Sequence, residues 1–285
     1  MICQQGAGLD DERRSSMEHA MTLPLWLDHL LFKKLNAKYC RSNSNMVVID
    51  WDQQDMLTYL GTYFPRSYVE SYQIFSDHFT TEIKEWKQRT VISIFDFGSG
   101  TGGEIIGLLM AIRDKLPCVK SVRVFAFDGN VCALRLFEKV LDHVQQYLSF
   151  EVTSRILPFK IDDFYDLSLL DVLIKEQFDI IVSFKAICEF VTKERFEESN
   201  AYTVFFDRFL PKIKTNGILL LADVTTYNNV SQEWLPTMMD EAIKESHANL
   251  ISQNQGFNQV FEVIHSRVAC DRSKLAWRLI QNNYN

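Results

Sequence analysis

The stretch Asp96-Phe97-Gly98-Ser99-Gly100-Thr101-Gly102-Gly103 carries the clearest chemical signal in the chain, set between an apolar run that ends at Phe97 and a helical pattern that opens near Glu104. Glycines at a strand-to-helix junction permit the unusual dihedrals such a turn needs and let a ligand approach the backbone with no Cβ in the way. The helix N-terminus beyond it offers unpaired N–H groups and a partial positive charge to a carboxylate or phosphate. Gly98, Gly100 and Gly103 also satisfy GxGxxG, the dinucleotide pattern, which alone is a weak signal. The neighbouring acid separates the two readings. Two residues before Gly98, Asp96 would set negative charge close to a bound pyrophosphate, whereas a cofactor bearing an α-amino group and a sulfonium is attracted by it.

Such a turn works only if strands and helices hold it. Residues 91–97, 121–127, 154–160, 178–184 and 217–223 are short, apolar and rich in Val, Ile or Phe, the pattern of strands buried on both faces. Between them run helical stripes: Ile105, Leu108, Leu109, Ile112 and Leu116, then Leu134, Phe137, Leu141, Val144 and Leu148, with further helices expected over 193–210 and 232–247. Alternating strands and helices predict a parallel sheet with covering helices. At the end, 257–266 and 273–281 are strand-like runs joined by a link containing Asp271 and Arg272, long enough for an antiparallel pair and too short for a parallel crossover. The expected fold is therefore α/β and Rossmann-like, a mostly parallel seven-stranded sheet with a reversed last strand. Before Thr90 the periodicity is helical: Leu23, Leu27, Leu30, Leu31 and Leu35, then Tyr72, Phe75, Phe79, Ile83 and Trp86 after Pro65, which suits a first helical turn. Residues 1–89 thus read as a helical N-terminal cap on the substrate side, and 90–285 as the cofactor-binding domain.

DFGSGTGG resembles motif I of class I S-adenosylmethionine-dependent methyltransferases, and the likeness extends from roughly Thr90 to Gln281. The resemblance implies that Asp96, Gly98, Ser99, Gly100, Thr101 and Gly102 hold S-adenosylmethionine. It also implies that Asp128, ending the second strand, accepts from both ribose hydroxyls, with Gly129 and Asn130 making the tight turn that follows. Ile161-Asp162-Asp163-Phe164 is similar to the family's adenine-contacting segment: one of Asp162 and Asp163 takes the exocyclic amine, and an apolar side chain such as Phe164 covers the ring. Ser183-Phe184-Lys185-Ala186-Ile187-Cys188-Glu189-Phe190 lies at the C-terminal edge of the sheet, and in the family that loop faces the methyl group. Lys185 and Glu189 are its ionisable groups, able to position or deprotonate a nucleophile, with Tyr227 after the fifth strand a similar candidate; each also reads as an ordinary surface residue. The Asn/Asp-Pro-Pro-Tyr type motif of amino-methylating relatives is missing here, which sets the chain apart from the nucleic-acid-base and glutamine N-methyltransferases. In the cap, Tyr63 to Tyr72 resembles the segment preceding motif I in methyltransferase-like small-ribosomal-subunit assembly factors, whose cysteine clusters this chain lacks. Tyr68 or Arg66 there could close over the cofactor carboxylate, or simply pack the helix.

Composition narrows the acceptor. The chain has 285 residues, 47% of them hydrophobic, a formal charge of −7 and a pI near 5.4, so it can build a sizeable core and has no global positive field for phosphate backbones. A local basic run, Lys33, Lys34, Lys38 and Arg41, is the exception. Cysteines at no CxxC spacing read as free thiols in a reducing compartment, and histidines without HxxxH pairing suggest no metal site. A GxxxxGK loop and a GxSxG elbow are both missing. Apolar runs too short for a bilayer and an opening without an apolar h-region point to the cytoplasm. The expected activity is methyl transfer from S-adenosylmethionine to an O or N nucleophile of a peptide, protein or small metabolite. Alternatives are an RNA (rRNA-type) methyltransferase and a non-catalytic methyltransferase-fold scaffold; an NAD-dependent oxidoreductase is disfavoured by Asp96 and the reversed strand pair.

Overall fold

The computed structural model describes residues 20–41, 52–81, 84–161, 163–164, 166–190, 200–228, 232–246, 249–253 and 257–281. It opens with β1 (Met21–Thr22), α1 (Leu25–His29), a π-helical turn, α2 (Gln53–Thr81) and α3 (Lys84–Gln88). Strands and helices then alternate: β2 (Val91–Phe97), α4 (Gly103–Lys115), β3 (Ser121–Asp128), α5 (Val131–Val144), β4 (Glu151–Pro158), α6 (Ser168–Leu173), β5 (Phe178–Phe184), α7 (Ile187–Phe190), α8 (Ala201–Phe209) and β6 (Ile213–Val224). A small ribbon, β7 (Tyr227–Asn228) with β8 (Glu233–Trp234), leads to α9 (Leu235–Ser246), β9 (Asn249–Gln253), β10 (Gln259–His265) and β11 (Val268–Gln281).

The main sheet runs β1-β10-β11-β6-β5-β2-β3-β4, with β9 paired to β11 off that path. β4, β3, β2, β5 and β6 are parallel, and β11 returns antiparallel to β6, from Leu275 opposite Val224 to Gln281 opposite Ile218. This strand order with its reversed β11 is the Rossmann-like, class I methyltransferase fold expected from the sequence. The sheet has nine strands rather than seven. The two additions are β1, two residues long, and β9, NLISQ, neither of which offers enough alternation to show as a strand. The third strand begins at Glu151, ahead of the expected 154, because this sheet-edge strand buries only Val152 fully and its ends carry no apolar mark.

The inner strands are apolar on both sides because helices cover both. Ile92 and Ile94 of β2 face a core shared with α2, α4 and α5, while Phe95 and Phe97 face a second core with α6, α8 and α9. The expected start of the cap helix after Pro65 needs correction. Met56, Leu60 and Phe64 continue the buried stripe upstream, so α2 is one 29-residue helix with Pro65 inside it. The N-terminal segment also gives β1 to the sheet, pairing parallel with β10. α2 lies close along α4: a Cβ at Gly103 would stand 2.7 Å from the Phe64 carbonyl oxygen, and one at Gly107 2.3 Å from that of Tyr68. Part of the expected helix over 193–210 falls outside the described residues; α8 begins at Ala201, capped by Asn200, whose side chain accepts from the Tyr202 N–H. No helix among the described residues is long and apolar enough to cross a membrane.

At the opposite end of the sheet from the glycine turn, Asp179 ties four segments together. Its carboxylate accepts from Arg89 at 2.6 Å, from the Ser93 N–H and hydroxyl at 2.8 and 2.7 Å, and from Lys214 at 2.9 Å. Burial acts to raise its pKa, but Lys214 and Ser93 outweigh burial and hold it below the ordinary carboxylate range. The depressed folded value means stability that is full above the unfolded pKa and is lost as pH falls through the folded one. Asp179→Asn is therefore expected to cost about 2–3 kcal/mol at pH 7, measured by urea denaturation, with the gap from wild type closing below pH 4. An undiminished gap in acid would contradict this account.

Candidate active site

The chain leaves β2 toward β3 and β4 on one side, and β5 and β6 lie on the other, so the crevice at the carboxyl ends of β2 and β5 is the topological switch point. The glycine turn opens there. Gly98, Gly100 and Gly102 have φ of 76°, 46° and 79°, a left-handed run that side chains other than glycine resist. The Gly98 and Ser99 N–H groups donate to the Phe127 carbonyl at 2.9 Å, and Gly102 donates to Ser99 at 2.7 Å. At Gly102 a Cβ would lie 2.0 Å from the Phe137 ring, so space as well as dihedral demands glycine. Thr101 is buried beside it. Gly103, the last glycine of the dinucleotide pattern, serves the contact with α2.

Four acids converge on this turn. Asp128 is buried, its Oδ2 accepting from the Gly100 N–H and its Oδ1 from the Asn130 N–H, both at 2.7 Å. Burial raises its pKa against those two bonds. Each oxygen keeps a second lone pair, so the carboxylate can brace the turn and still accept from two vicinal hydroxyls. Asp96 is fully buried with neither oxygen meeting a donor. Burial and then the neighbouring Glu104 push its pKa well up, and burial pushes Glu104 up to about 8. The fourth acid, Glu70 of α2, is 0% exposed and paired with Lys185, whose Nζ lies 2.9 Å from Oε1 and 2.6 Å from Oε2. Lys185 reaches it from a left-handed residue, φ 55°, with its N–H donating to Ala222 at 2.7 Å. Among the described residues Lys185 is the cation beside these carboxyls and it is held by Glu70, so Asp96, Glu104 and Asp128 leave the crevice a place for a further cation.

The remaining candidates scatter. Ser183 and Phe184 end β5, buried, the Ser183 hydroxyl without a partner. Gly129 and Asn130 lead into α5, where Asn130 is the N-cap, accepting from the Ala133 N–H at 2.9 Å. Phe164 is buried edge-on to Phe97, Asp163 is exposed, and Asp162 lies outside the described residues. Glu189 sits in α7 with its side chain outside the described part. Tyr227 is exposed on the β7–β8 ribbon, its ring 5.3 Å from Trp234. Tyr68 is buried with its ring 6.2 Å from Tyr72, near Arg113 and Asp114 at the far end of α4. Arg66 is committed to a bidentate pair with Asp271, both bonds 2.8 Å.

Sequence reasoning missed four residues around the crevice. Tyr59 of α2 brings its ring within 3.6 Å of where a Gly100 Cβ would be. Glu104 and Glu70 complete the acidic crevice; the only signal for Glu104 was a lone charge in the otherwise apolar run GGEIIGLLMAI. On the other face of the sheet, the buried Asp223 at the end of β6 accepts from the Tyr202 hydroxyl at 3.0 Å and from the Cys188 N–H at 3.1 Å, anchoring the loop after β5. Burial raises the pKa of Asp223 and that of Tyr202.

No family model and no curated protein matches the chain. Solved structures similar to it include precorrin-6y C5,15-methyltransferase from Geobacter metallireducens, with 11% identity over 74% of this chain and 86% of that one and a TM-score of 0.42. The cyclopropane synthase of Mycobacterium tuberculosis gives 14% identity over 81% and 73%, with a TM-score of 0.44. Magnesium protoporphyrin IX methyltransferase from Synechocystis with bound S-adenosylhomocysteine gives 9% over 90% and 97%, with a TM-score of 0.45. Likenesses this distant leave the reading of the site to its own geometry.

Proposed function

We propose that this chain is an S-adenosylmethionine-dependent methyltransferase acting on an O or N nucleophile of a peptide, protein or small metabolite. One observation carries the reading: the glycine turn is lined by buried carboxyls, Asp96 among them with no donor of its own, where a pyrophosphate site would need positive or neutral surroundings. That arrangement suits a ligand with a cationic amine and a sulfonium. Asp96 takes the amine, the turn from Gly98 to Gly102 passes close to the amino-acid portion, and Asp128 accepts from the ribose hydroxyls. Asp162 or Asp163 with Phe164 serves the adenine side.

When bound, the cofactor supplies a methyl group already activated on a positive sulfur. The chain's residues then have to orient the acceptor and exclude water. An ionised carboxylate acceptor needs no base; an amine, imidazole or hydroxyl needs a proton acceptor, a role for Glu189, with Lys185 and Tyr227 near the acceptor's path. We assign residues 1–89 to a cap that shapes the acceptor side and 90–285 to the cofactor domain. The net charge of −7 supports an acceptor other than a phosphate backbone, and the reduced thiols of Cys40, Cys118, Cys132, Cys188 and Cys270 fit a cytoplasmic location.

Calorimetric titration tests the cofactor. S-adenosylmethionine and S-adenosylhomocysteine are expected to bind and NAD not to, and Asp128→Ala is expected to weaken both sulfur ligands by at least about tenfold, roughly the 1.4 kcal/mol of a lost charge-assisted hydrogen bond. NAD binding in their place would sink the reading.

A further inference from the structure

We infer that Glu104 is a second cofactor-recognising residue: Asp96 and Glu104 form a carboxyl pair that shares one proton in the free protein and releases it to solvent when an α-ammonium group is bound. The inference rests on the methyltransferase reading and names how that site selects its ligand.

The geometry leaves the pair little alternative. Asp96 is 0% exposed and Glu104 6%, and neither Asp96 oxygen meets an N–H or O–H donor. The group it faces is the Glu104 carboxyl, and two acids can bond to each other only if one is protonated. The Glu104 carboxyl accepts from its own backbone N–H, and the other described groups around the pair come from three further elements. From β3, Asp128 adds negative charge. From the loop after β5, Lys185 is the nearby cation, but its Nζ is held by Glu70 of α2 at 2.6 and 2.9 Å. Ser71 of α2 gives its hydroxyl to the Glu104 backbone oxygen at 2.6 Å, not to the carboxyl. Glu104 also stands in the first turn of α4, where helix N–H groups favour a negative charge once a counter-charge arrives. Burial raises both carboxyls, while the Glu104 N–H and the Lys185 charge offset part of that rise at Glu104, so the pair is protonated at neutral pH in the free protein.

An ammonium replaces that proton in both of its functions. It brings one positive charge and donor hydrogens to carboxyl oxygens that lack them. The pair then holds two negative charges beside the ligand, and the displaced proton passes to the buffer. A ligand with the same adenosine part and no amine offers neither the charge nor the donors, so the pair keeps its proton. Selection is therefore for the amino-acid end of the cofactor, by charge.

The test is calorimetry at pH 7 in phosphate and in Tris, whose different ionisation enthalpies report proton release, with S-adenosylmethionine, S-adenosylhomocysteine and a desamino analogue of the latter. At this pH the ligand amine is largely protonated. Release of about one proton is expected with the two amine-bearing ligands and close to none with the desamino analogue, and Kd is expected to fall about tenfold per pH unit between 6 and 7. Glu104→Gln, with its fold checked by circular dichroism, is expected to abolish the release and flatten that pH dependence. Binding without proton release, release with the desamino analogue, or unchanged release in Glu104→Gln would each overturn the inference while leaving the methyltransferase reading intact. Failure of both sulfur ligands to bind would instead remove that reading.

Discussion

Gly107→Ala is expected to destabilise the protein by about 2–3 kcal/mol and to weaken cofactor binding, although Gly107 lies a full helical turn past the glycine loop. Intrinsic propensity argues the other way, since alanine in a helix interior is about 1 kcal/mol better than glycine. The contact decides the sign. A Cβ here would be 2.3 Å from the Tyr68 carbonyl oxygen, 3.0 Å from the Tyr72 nitrogen and 3.1 Å from the Ser71 Cβ. Two of these are backbone atoms of α2 and cannot rotate aside, so α2 as a whole must back away from α4. That displacement reaches the site, because α2 carries Glu70 to Lys185, Ser71 to Glu104 and Tyr59 to the rim of Gly100. Urea denaturation and calorimetry on the same preparation read the two effects. A stabilised variant with unchanged binding would show that the helix contact does not set the crevice.

The same contact marks the limit of what the chain's pattern could reveal. Strands 91–97 and 178–184 coincide with β2 and β5 because both faces are buried and the apolar run is continuous. The glycine turn and Asp128 were legible because they are local, each defined by residues within one strand-to-helix junction. Glu104 and Glu70 were not. Each is an acid in a helix, unremarkable until α2 is laid on α4 and the turn closes beneath them. Gly103 shows the opposite error: it completes GxGxxG in the sequence, yet its missing Cβ makes room for the Phe64 carbonyl. Arg66 reads as a candidate for the cofactor carboxylate, but its partner Asp271 sits 205 residues away on β11, a pairing no local pattern announces. Pro65 misleads for a related reason, since local chemistry favours a helix start there and the buried stripe on either side keeps the helix going.

The Lys185–Glu70 pair gives the second large effect. Lys185→Met is expected to cost about 3–5 kcal/mol, because it takes from the carboxylate of Glu70, 0% exposed, the counter-charge it has among the described residues. Glu70→Leu is expected to cost only about 1–2 kcal/mol: the lysine, 15% exposed, can extend its ammonium to water. Replacing both, Glu70→Leu with Lys185→Met, removes the buried charge together with its partner and is expected to recover most of the stability, so the double-mutant cycle should show strong coupling. The cycle also separates two tasks for Lys185. A lysine that neutralises Glu70 and fixes the loop after β5 is dispensable once Glu70 is gone, and the double variant then binds the sulfur cofactors as the wild type does. The left-handed backbone at Lys185, φ 55°, favours this positional task, since a strained residue persists only where its surroundings over-determine it. Chemical denaturation of the four proteins decides the point: additive losses, with the double variant the least stable, would mean that the pair is no unit and that Lys185 acts elsewhere in the crevice.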